Sequence, residues 1–173
     1  GLNGRRDFHP LGRGLGGGSS INTLMYMRGN PQDYDDWAAM GNPGWSWPEV
    51  LPYFRKSENN QSFRDDPLHG NAGPMWVEEL RTGNPYQELC LQACAEAGLQ
   101  HNRDLNGVSQ EGCRRTQVFM KEGVRYGVGK AYIHPVLERR RNLQLWANTQ
   151  CTRILFEGKR AVGVSFRVKG ETC

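Results

Sequence analysis

Apolar positions return at helical spacing in one stretch of the chain and at strand spacing in another. Tyr86, Leu89, Cys90, Ala93, Cys94 and Ala97 recur every three or four residues and would form one stripe on a helix. Asn84-Pro85 ahead of them offers a capping side chain and a proline suited to a first turn, and Gly98 behind them offers a stop. The pattern predicts a helix opening at Asn84-Pro85-Tyr86-Gln87 and ending at Gly98, with Cys90 and Cys94 packed in the core. Ser46-Trp47-Pro48-Glu49 has the spacing of a capping box and predicts another helix, which Pro52 should bend or shorten. In the last third the period becomes two. Val162, Val164, Phe166 and Val168 alternate with Gly163, Ser165 and Arg167, as in a half-buried strand. Leu143 to Ala147 and Cys151 to Phe156 read as two further short strands, and Glu157-Gly158-Lys159-Arg160 as a hairpin turn. The fold class is α+β, with helix and strand mixed along the chain.

Composition tempers this picture. Hydrophobic residues make up 37% of the 173 residues, and glycine is abundant at 22; the mean hydropathy is −0.71. That is low for a chain that builds its own core, and the pattern predicts a piece that buries apolar surface against segments outside it. The net charge of +4 is mild and suits mixed charges on a globular surface. No apolar run approaches the roughly 20 residues of a membrane span, and no leader is evident. Five cysteines, at 90, 94, 113, 151 and 173, show no CxxC and no metal-type spacing. An odd count without a disulfide framework fits a reducing compartment, so a cytoplasmic location is the default expectation.

Chemistry concentrates near the start, in GRGLGGGSSINTLMYMRG from Gly12 to Gly29. Gly16, Gly17 and Gly18 permit positive φ and close approach of a ligand, and successive backbone N–H groups can form an anion nest. Ser19, Ser20 and Asn22 add donors. A glycine run is also what a flexible linker looks like, and by itself the stretch leaves both readings open.

The longer stretch resembles the first signature of the glucose–methanol–choline (GMC) family of FAD-dependent oxidoreductases. The resemblance rests on Gly12-Arg13, Leu15-Gly16-Gly17, Ser19, Asn22, Tyr26, Arg28-Gly29, Asp33-Tyr34-Asp35 with Trp37, and Gly44-Trp45 with Pro48. It continues through His69-Gly70 with Gly73-Pro74, Asp104-Leu105-Asn106-Gly107 with Gln110-Glu111-Gly112, and Gly123 with Arg125. Ala131-Tyr132 with Pro135, Arg141-Asn142-Leu143 and Gly158 to Val164 complete it. The chain is most similar in feel to bacterial choline or aliphatic-alcohol dehydrogenases.

The resemblance implies part of a two-domain GMC-type fold. Residues 1–60 would supply the flavin-contacting glycine loop and a lid, 61–142 part of an antiparallel-sheet substrate domain, and 143–173 strands returning to the FAD domain. Gly16, Gly17, Gly18 and Ser19 would face the ribityl–pyrophosphate region of FAD. Asn22, Thr23, Leu24 and Met25 would run beside the isoalloxazine ring, and Cys151 would present backbone groups to the adenine. Ile21 stands where some relatives carry a flavin-linking histidine, which implies non-covalent FAD. The implied reaction is oxidation of a small-molecule alcohol, with the reduced flavin passing electrons to oxygen or another acceptor.

Two departures stand beside the match. No GxGxxG follows a strand-like run, and the family's catalytic histidine belongs to a C-terminal portion beyond Cys173. The expectation is therefore a central fragment that carries no catalytic residue and binds FAD weakly or not at all by itself; the alternative is a non-catalytic FAD-binding or scaffold remnant. Gly127 replaces a small hydroxyl residue of relatives, and Cys113-Arg114-Arg115 a small, uncharged neighbourhood. His9, His69, His101 and His134 are separated, lack a paired-carboxylate motif and read as structural or surface histidines. Trp37, Trp45 and Trp47 with Tyr53 and Phe54 could cage a quaternary ammonium, but lid packing accounts for them better. Arg139 to Arg141 complement a helix C-terminus more simply than they bind nucleic acid.

Overall fold

The structure, a computed structural model, describes residues 3–168 and the backbone of 171 and 172; Cys173 lies outside these residues. The chain forms two compact units, Gly1–Pro135 and Val136–Cys173.

In the first unit a short 3-10 turn, Gly17–Ser20, leads into an extended segment in which Leu24, Tyr26 and Arg28 are buried and Met25 and Met27 exposed. Helix α1 (Pro31–Ala39) is capped by Asn30, whose side chain accepts the Gln32 N–H at 2.9 Å. Helix α2 (Trp47–Ser57) opens as its sequence predicts, with the Glu49 carboxylate accepting the Ser46 N–H at 3.1 Å and the Ser46 hydroxyl at 2.5 Å. Asp35 of α1 takes the Trp47 N–H at 2.8 Å and joins the two helices.

Pro52 does not shorten α2, which runs past it to Ser57. The missing N–H forfeits one bond, to the Pro48 carbonyl in the first turn. Packing of Tyr34 against Trp47 and Phe54, with ring centroids 5.7 Å apart in both pairs, offsets that loss.

Strand β1 (Glu58–Asn60) follows α2 directly and pairs in parallel with β2 (Met75–Glu79), Asn60 opposite Val77. On the other edge of β2 lies the antiparallel strand β3 (Gln117–Val118), Glu79 opposite Gln117. The extended segment adds to β3: Tyr26 N–H donates to the Gln117 carbonyl and Phe119 N–H to the Leu24 carbonyl, both at 2.8 Å. Val77, Met75, Val118, Leu24, Tyr26 and Phe63 form the core of this unit. A small hairpin, β4 (Met120–Lys121) and β5 (Val124–Arg125), follows.

Helix α3 (Pro85–Glu96) begins and ends as expected. Asn84 Oδ1 accepts the Tyr86 N–H at 3.1 Å. At the other end Leu99 N–H reaches the Cys94 carbonyl and Gly98 N–H the Ala95 carbonyl, with Gly98 at φ +87°, which is a Schellman closure. Its burial departs from the expected stripe. The half-buried edge is Gln87, Leu91 and Cys94, whereas Tyr86, Leu89 and Cys90 are exposed. Periodicity shows which residues share a face; Gln87, Leu91 and Cys94 lie on the side of the helix that borders a cavity shared with Leu80 and residues 112–116.

A π-helical turn (Gly129–Ile133) runs into α4 (His134–Leu137), where the two units meet in sequence. The second unit is an antiparallel hairpin, β6 (Thr149–Glu157) and β7 (Arg160–Val168), with β8 (Glu171–Thr172) on the far edge of β7. The hairpin turn falls at Gly158-Lys159 as predicted. Residues 143–147 are not a strand. Trp146 instead lays its ring edge-on against Phe166, centroids 5.0 Å apart, so this apolar run covers a sheet face rather than extending the sheet.

Candidate functional site

The glycine run is a folded turn, not a linker. Gly16 adopts φ +94° and Gly17 φ +52°, and a Cβ on Gly16 would sit 2.8 Å from Ser20 Oγ. Several groups that could meet an anion are already engaged inside the loop. Gly17 N–H donates to the Gly14 carbonyl at 3.0 Å and Ser19 N–H to the Gly16 carbonyl at 3.1 Å. The Ser19 hydroxyl donates to Gly16 at 2.7 Å, and the Ser20 hydroxyl to Leu15 at 3.0 Å. Asn22 Oδ1 accepts the Leu24 N–H at 3.1 Å, which holds Leu24 at φ +58°. Among the described residues Asn22 Nδ2 and the Thr23 hydroxyl make no hydrogen bond, and both side chains are exposed. Leu24 differs from its neighbours: its side chain is buried and its carbonyl engaged, so it anchors the segment while Asn22, Thr23 and Met25 face outward.

A second segment braces the turn. Arg125 donates to the carbonyls of Ser19 at 3.2 Å and Asn22 at 2.7 Å, and Val128 N–H donates to Ser19 Oγ at 3.0 Å. Beside it is a pocket of about 280 Å³ whose lining includes Ser19, Ser20, Arg125, Lys130 and His134. Arg125 was legible in the sequence only as a motif position; that it closes onto the glycine turn is a tertiary fact. The structure also accounts for glycine at 127, where a Cβ would stand 2.8 Å from Ser19 Oγ and 3.0 Å from the Ser19 carbonyl oxygen. Because that hydroxyl is held on both sides, Gly127→Ser is expected to destabilise the fold by about 1–3 kcal/mol. Urea denaturation checks this: an unchanged midpoint would show that Ser19 swings aside freely.

Further along the same extended segment, at Arg28, begins a buried polar cluster that the sequence did not reveal. Arg28, 3% exposed, donates from Nη2 to Glu58 Oε2 at 2.5 Å, from Nη1 to the Leu68 carbonyl at 2.8 Å and from Nε to Tyr26 Oη at 2.9 Å. Glu58, 1% exposed, also accepts Asn60 Nδ2 at 2.8 Å and Gly70 N–H at 2.9 Å. His69 bridges two carboxylates, Nδ1 to Glu58 Oε1 at 2.7 Å and Nε2 to Asp104 Oδ2 at 2.8 Å. Asn106 accepts the Arg28 N–H at 2.7 Å.

Both ring nitrogens of His69 lie closer to a carboxylate oxygen than to any donor, Asn60 Nδ2 standing 3.3 Å from Nδ1, which favours the doubly protonated imidazolium. Burial opposes that charge, but the hydrogen bonds and charges of Asp104 and Glu58 outweigh it and raise the His69 pKa to about 9. Burial by itself would raise Glu58 and Asp104. The His69 hydrogen bond, aided by Gly70 N–H and Arg28 for Glu58 and by Asn106 N–H for Asp104, holds both below the usual carboxylate range. Burial, reinforced by Glu58, keeps the Tyr26 phenol protonated. Two cations and two anions cancel within a closed network.

His69 thus has the paired carboxylates its sequence neighbourhood lacks, supplied by Glu58 and Asp104 from β1 and a distant loop. With both nitrogens donating, it is set up to hold structure, not to take a proton. His9 sits on the surface, 3.1 Å from Asp7. The aromatic residues of α1, α2 and the turn between them pack on one another, Trp37 edge-on to Tyr34 at 5.5 Å and to Trp45 at 5.6 Å, while Tyr34, Trp45, Tyr53 and Phe54 line a cavity of about 540 Å³. Cys151 lies in the second unit, exposed on β6 opposite Phe166, next to a break in register before Arg153. No three His, Cys, Asp or Glu side chains among the described residues are grouped to hold a metal. No helix among them is long and apolar enough to cross a membrane.

The sequence profile of the GMC oxidoreductases matches residues 2–173. The chain is 40% identical over 165 residues to an alcohol dehydrogenase [acceptor] of Pseudomonas putida, covering 95% of this chain and 30% of that protein. It is 39% identical over 172 residues to the mitochondrial choline dehydrogenase of Homo sapiens, covering 99% and 29%. Among solved structures it resembles an FAD-dependent oxidoreductase from Chaetomium thermophilum, with TM-score 0.81 and 31% identity over 91% of this chain and 29% of that one. Pyridoxine 4-oxidase from Mesorbium loti gives TM-score 0.85 and 25% identity over 94% and 32%. The chain spans about three-tenths of the length of these relatives.

Proposed function

Because the chain belongs to the GMC oxidoreductase family, we propose that it supplies the flavin-facing turn and part of the substrate domain of an enzyme that oxidises the CH–OH group of an alcohol, with FAD held non-covalently. The reading keeps residues 1–60 as flavin contact and lid, 61–142 as part of the substrate domain and 143–173 as strands of the FAD domain. The substrates named for the relatives, choline and other alcohols, give the class. When bound, FAD supplies the acceptor for the hydride of the carbinol carbon.

One observation carries the reading: the segment from Asn22 to Met25 is anchored by Leu24 and turns Asn22, Thr23 and Met25 outward. Asn22 Nδ2 and the Thr23 hydroxyl are unengaged donors suited to the polar edge of the isoalloxazine, and Met25 offers a soft apolar surface to its face. Gly16, Gly17, Gly18 and Ser19 give a turn without bulk, and Arg125 and Lys130 line the pocket beside it with positive charge, which suits a diphosphate. Ile21, half exposed, has no nucleophilic atom to bond a flavin. Cys151 keeps its proposed backbone role toward the adenine. His69 is tied to Glu58 and Asp104 through both ring nitrogens, and in this reading the proton acceptor comes from elsewhere in the protein.

Titrating FAD into the full-length protein that carries this chain, and into its Asn22→Ala variant, tests the assignment. Loss of one or two donor bonds of about 1–1.5 kcal/mol each weakens binding by about ten- to a hundredfold. An unchanged Kd would overturn the role of Asn22. Acid precipitation should release all the flavin, and flavin retained in the pellet would overturn non-covalent binding. Anaerobic addition of choline or a primary alcohol should bleach the oxidised flavin band; a bound flavin that no alcohol bleaches identifies the non-catalytic scaffold instead.

A further inference from the structure

Three of the cysteines left without a role by the flavin reading line one cavity. Cys90 and Cys94 of α3 and Cys113, on the segment leading to β3, border a space of about 720 Å³. Cys94 and Cys113 are half-buried, Cys90 is exposed, and all are free thiols. The Cys94 and Cys113 side chains border the same space, and burial with the neighbouring Cys94 thiol pushes the Cys113 thiol pKa up.

The backbone holds the pair in place. The Cys94 carbonyl accepts Leu99 N–H at 2.9 Å in the closure of α3. The chain then turns back, and Cys113 N–H donates to the Gln100 carbonyl at 2.9 Å while Asn102 N–H donates to the Cys113 carbonyl at 3.0 Å. Cys113 is therefore pinned beside the exit of the helix that carries Cys94. Two backbone-anchored cysteines that face one cavity across a single loop can approach to the ~2.05 Å of a disulfide bond by side-chain rotation and movement of that loop.

We propose that Cys94 and Cys113 form a modification site, a dithiol that closes to a disulfide when it meets a small-molecule disulfide. One cysteine, as thiolate, attacks a sulfur of the oxidant; that S–S bond breaks, one thiol leaves and a mixed disulfide remains. The second thiolate attacks the protein sulfur of the mixed disulfide, the Cys94–Cys113 bond forms and the second thiol leaves. The two protons lost by the cysteines appear on the two departing thiols, and the two electrons lost reduce the oxidant's disulfide.

The bond would close a loop that matters to the first unit. Between the two cysteines lie Asp104, which accepts from His69 Nε2 at 2.8 Å, and Asn106, which accepts the Arg28 N–H at 2.7 Å. Oxidation would therefore tether covalently the loop that completes the buried charge cluster. The inference does not depend on the flavin assignment.

The test treats the native, reduced protein with oxidised glutathione, quenches with iodoacetamide and maps the thiols by digestion and tandem mass spectrometry. The expected product is a Cys94–Cys113 linked peptide pair, about 2 Da below the sum of its reduced halves, restored to two thiols by dithiothreitol. Cys90→Ser should leave its yield unchanged. Amide hydrogen exchange across residues 100–112 should slow in the oxidised protein. Recovery of both cysteines as alkylated thiols, separate glutathione adducts on each, or a Cys90–Cys113 bond in place of this one would each overturn the proposal.

Discussion

Glu58→Ala is expected to destabilise the protein by about 3–5 kcal/mol, the range measured when one partner of a buried ion pair is removed. Glu58 is 1% exposed and takes hydrogen bonds from Arg28, His69, Asn60 and the Gly70 backbone. Without it, the Arg28 guanidinium and the His69 imidazolium remain buried with only Asp104 to balance them. Glu58→Gln separates charge from shape: it keeps a similar volume and an acceptor oxygen but leaves the excess positive charge, so it should recover only a minor part of the loss. Urea denaturation of the three proteins measures this directly. A loss below about 1 kcal/mol for Glu58→Ala would mean that water enters and solvates the cluster, and that it is not the clamp its geometry describes.

The consequence reaches the flavin-facing segment. Arg28 lies on the same extended stretch as Asn22, Thr23 and Met25, and its side chain and backbone fasten that stretch to β1, to the Leu68 carbonyl and to Asn106. A turn that must place donors against a ring within a fraction of an ångström needs such support behind it. A flavin-site defect caused by Glu58→Ala would therefore be indirect: weaker FAD binding that tracks the loss of fold stability.

Local order was legible wherever the determinants were local. The Ser46–Glu49 box, the Asn84 cap and Gly98 stop of α3, and the turn at Gly158-Lys159 each depend on residues within one or two turns of each other. The course of Leu143 to Ala147 was not, because a short apolar run fits a strand or a cover for one equally well, and Phe166 decided the matter. For α3 the stripe was visible, but its covered edge depended on where Leu80 and the 112–116 segment run. The site divides in the same way. The glycine turn and Asn22 announce themselves by composition, whereas the roles of Arg125 and of His69 arise only when distant segments meet. Arg28, His69, Asp104 and Asn106 each belong to a recognisable motif, yet nothing in a motif says that four of them close one network. Glu58 had no signal at all.

Because His69 is protonated in the fold and neutral in much of the unfolded chain at pH 7–8, the protein should lose stability as the pH rises from about 6.5 to about 9. The sign follows from which state holds the proton. The folded-state pKa is raised from 6.5 to about 9, so the native protein binds more protons than the unfolded one across that window, and unfolding becomes easier with each step upward. Below pH 6.5 both states are protonated and the contribution is complete; above about 9 it is gone. At 1.36 kcal/mol per pKa unit the fall amounts to about 3 kcal/mol. Glu58 and Asp104 act in the opposite direction at the acid end. Their lowered pKa values stabilise the fold above the unfolded-state values near 4, and that contribution is lost as the pH drops through the folded ones. Stability from the cluster is thus greatest between about pH 4.5 and 6.5. His69→Gln supplies the control, since a neutral amide does not titrate there: its stability should be lower at pH 6 and nearly flat up to pH 9. A wild-type profile already flat between pH 6.5 and 9 would mean that His69 is neutral in the fold, and that only one of its two carboxylate contacts carries a proton.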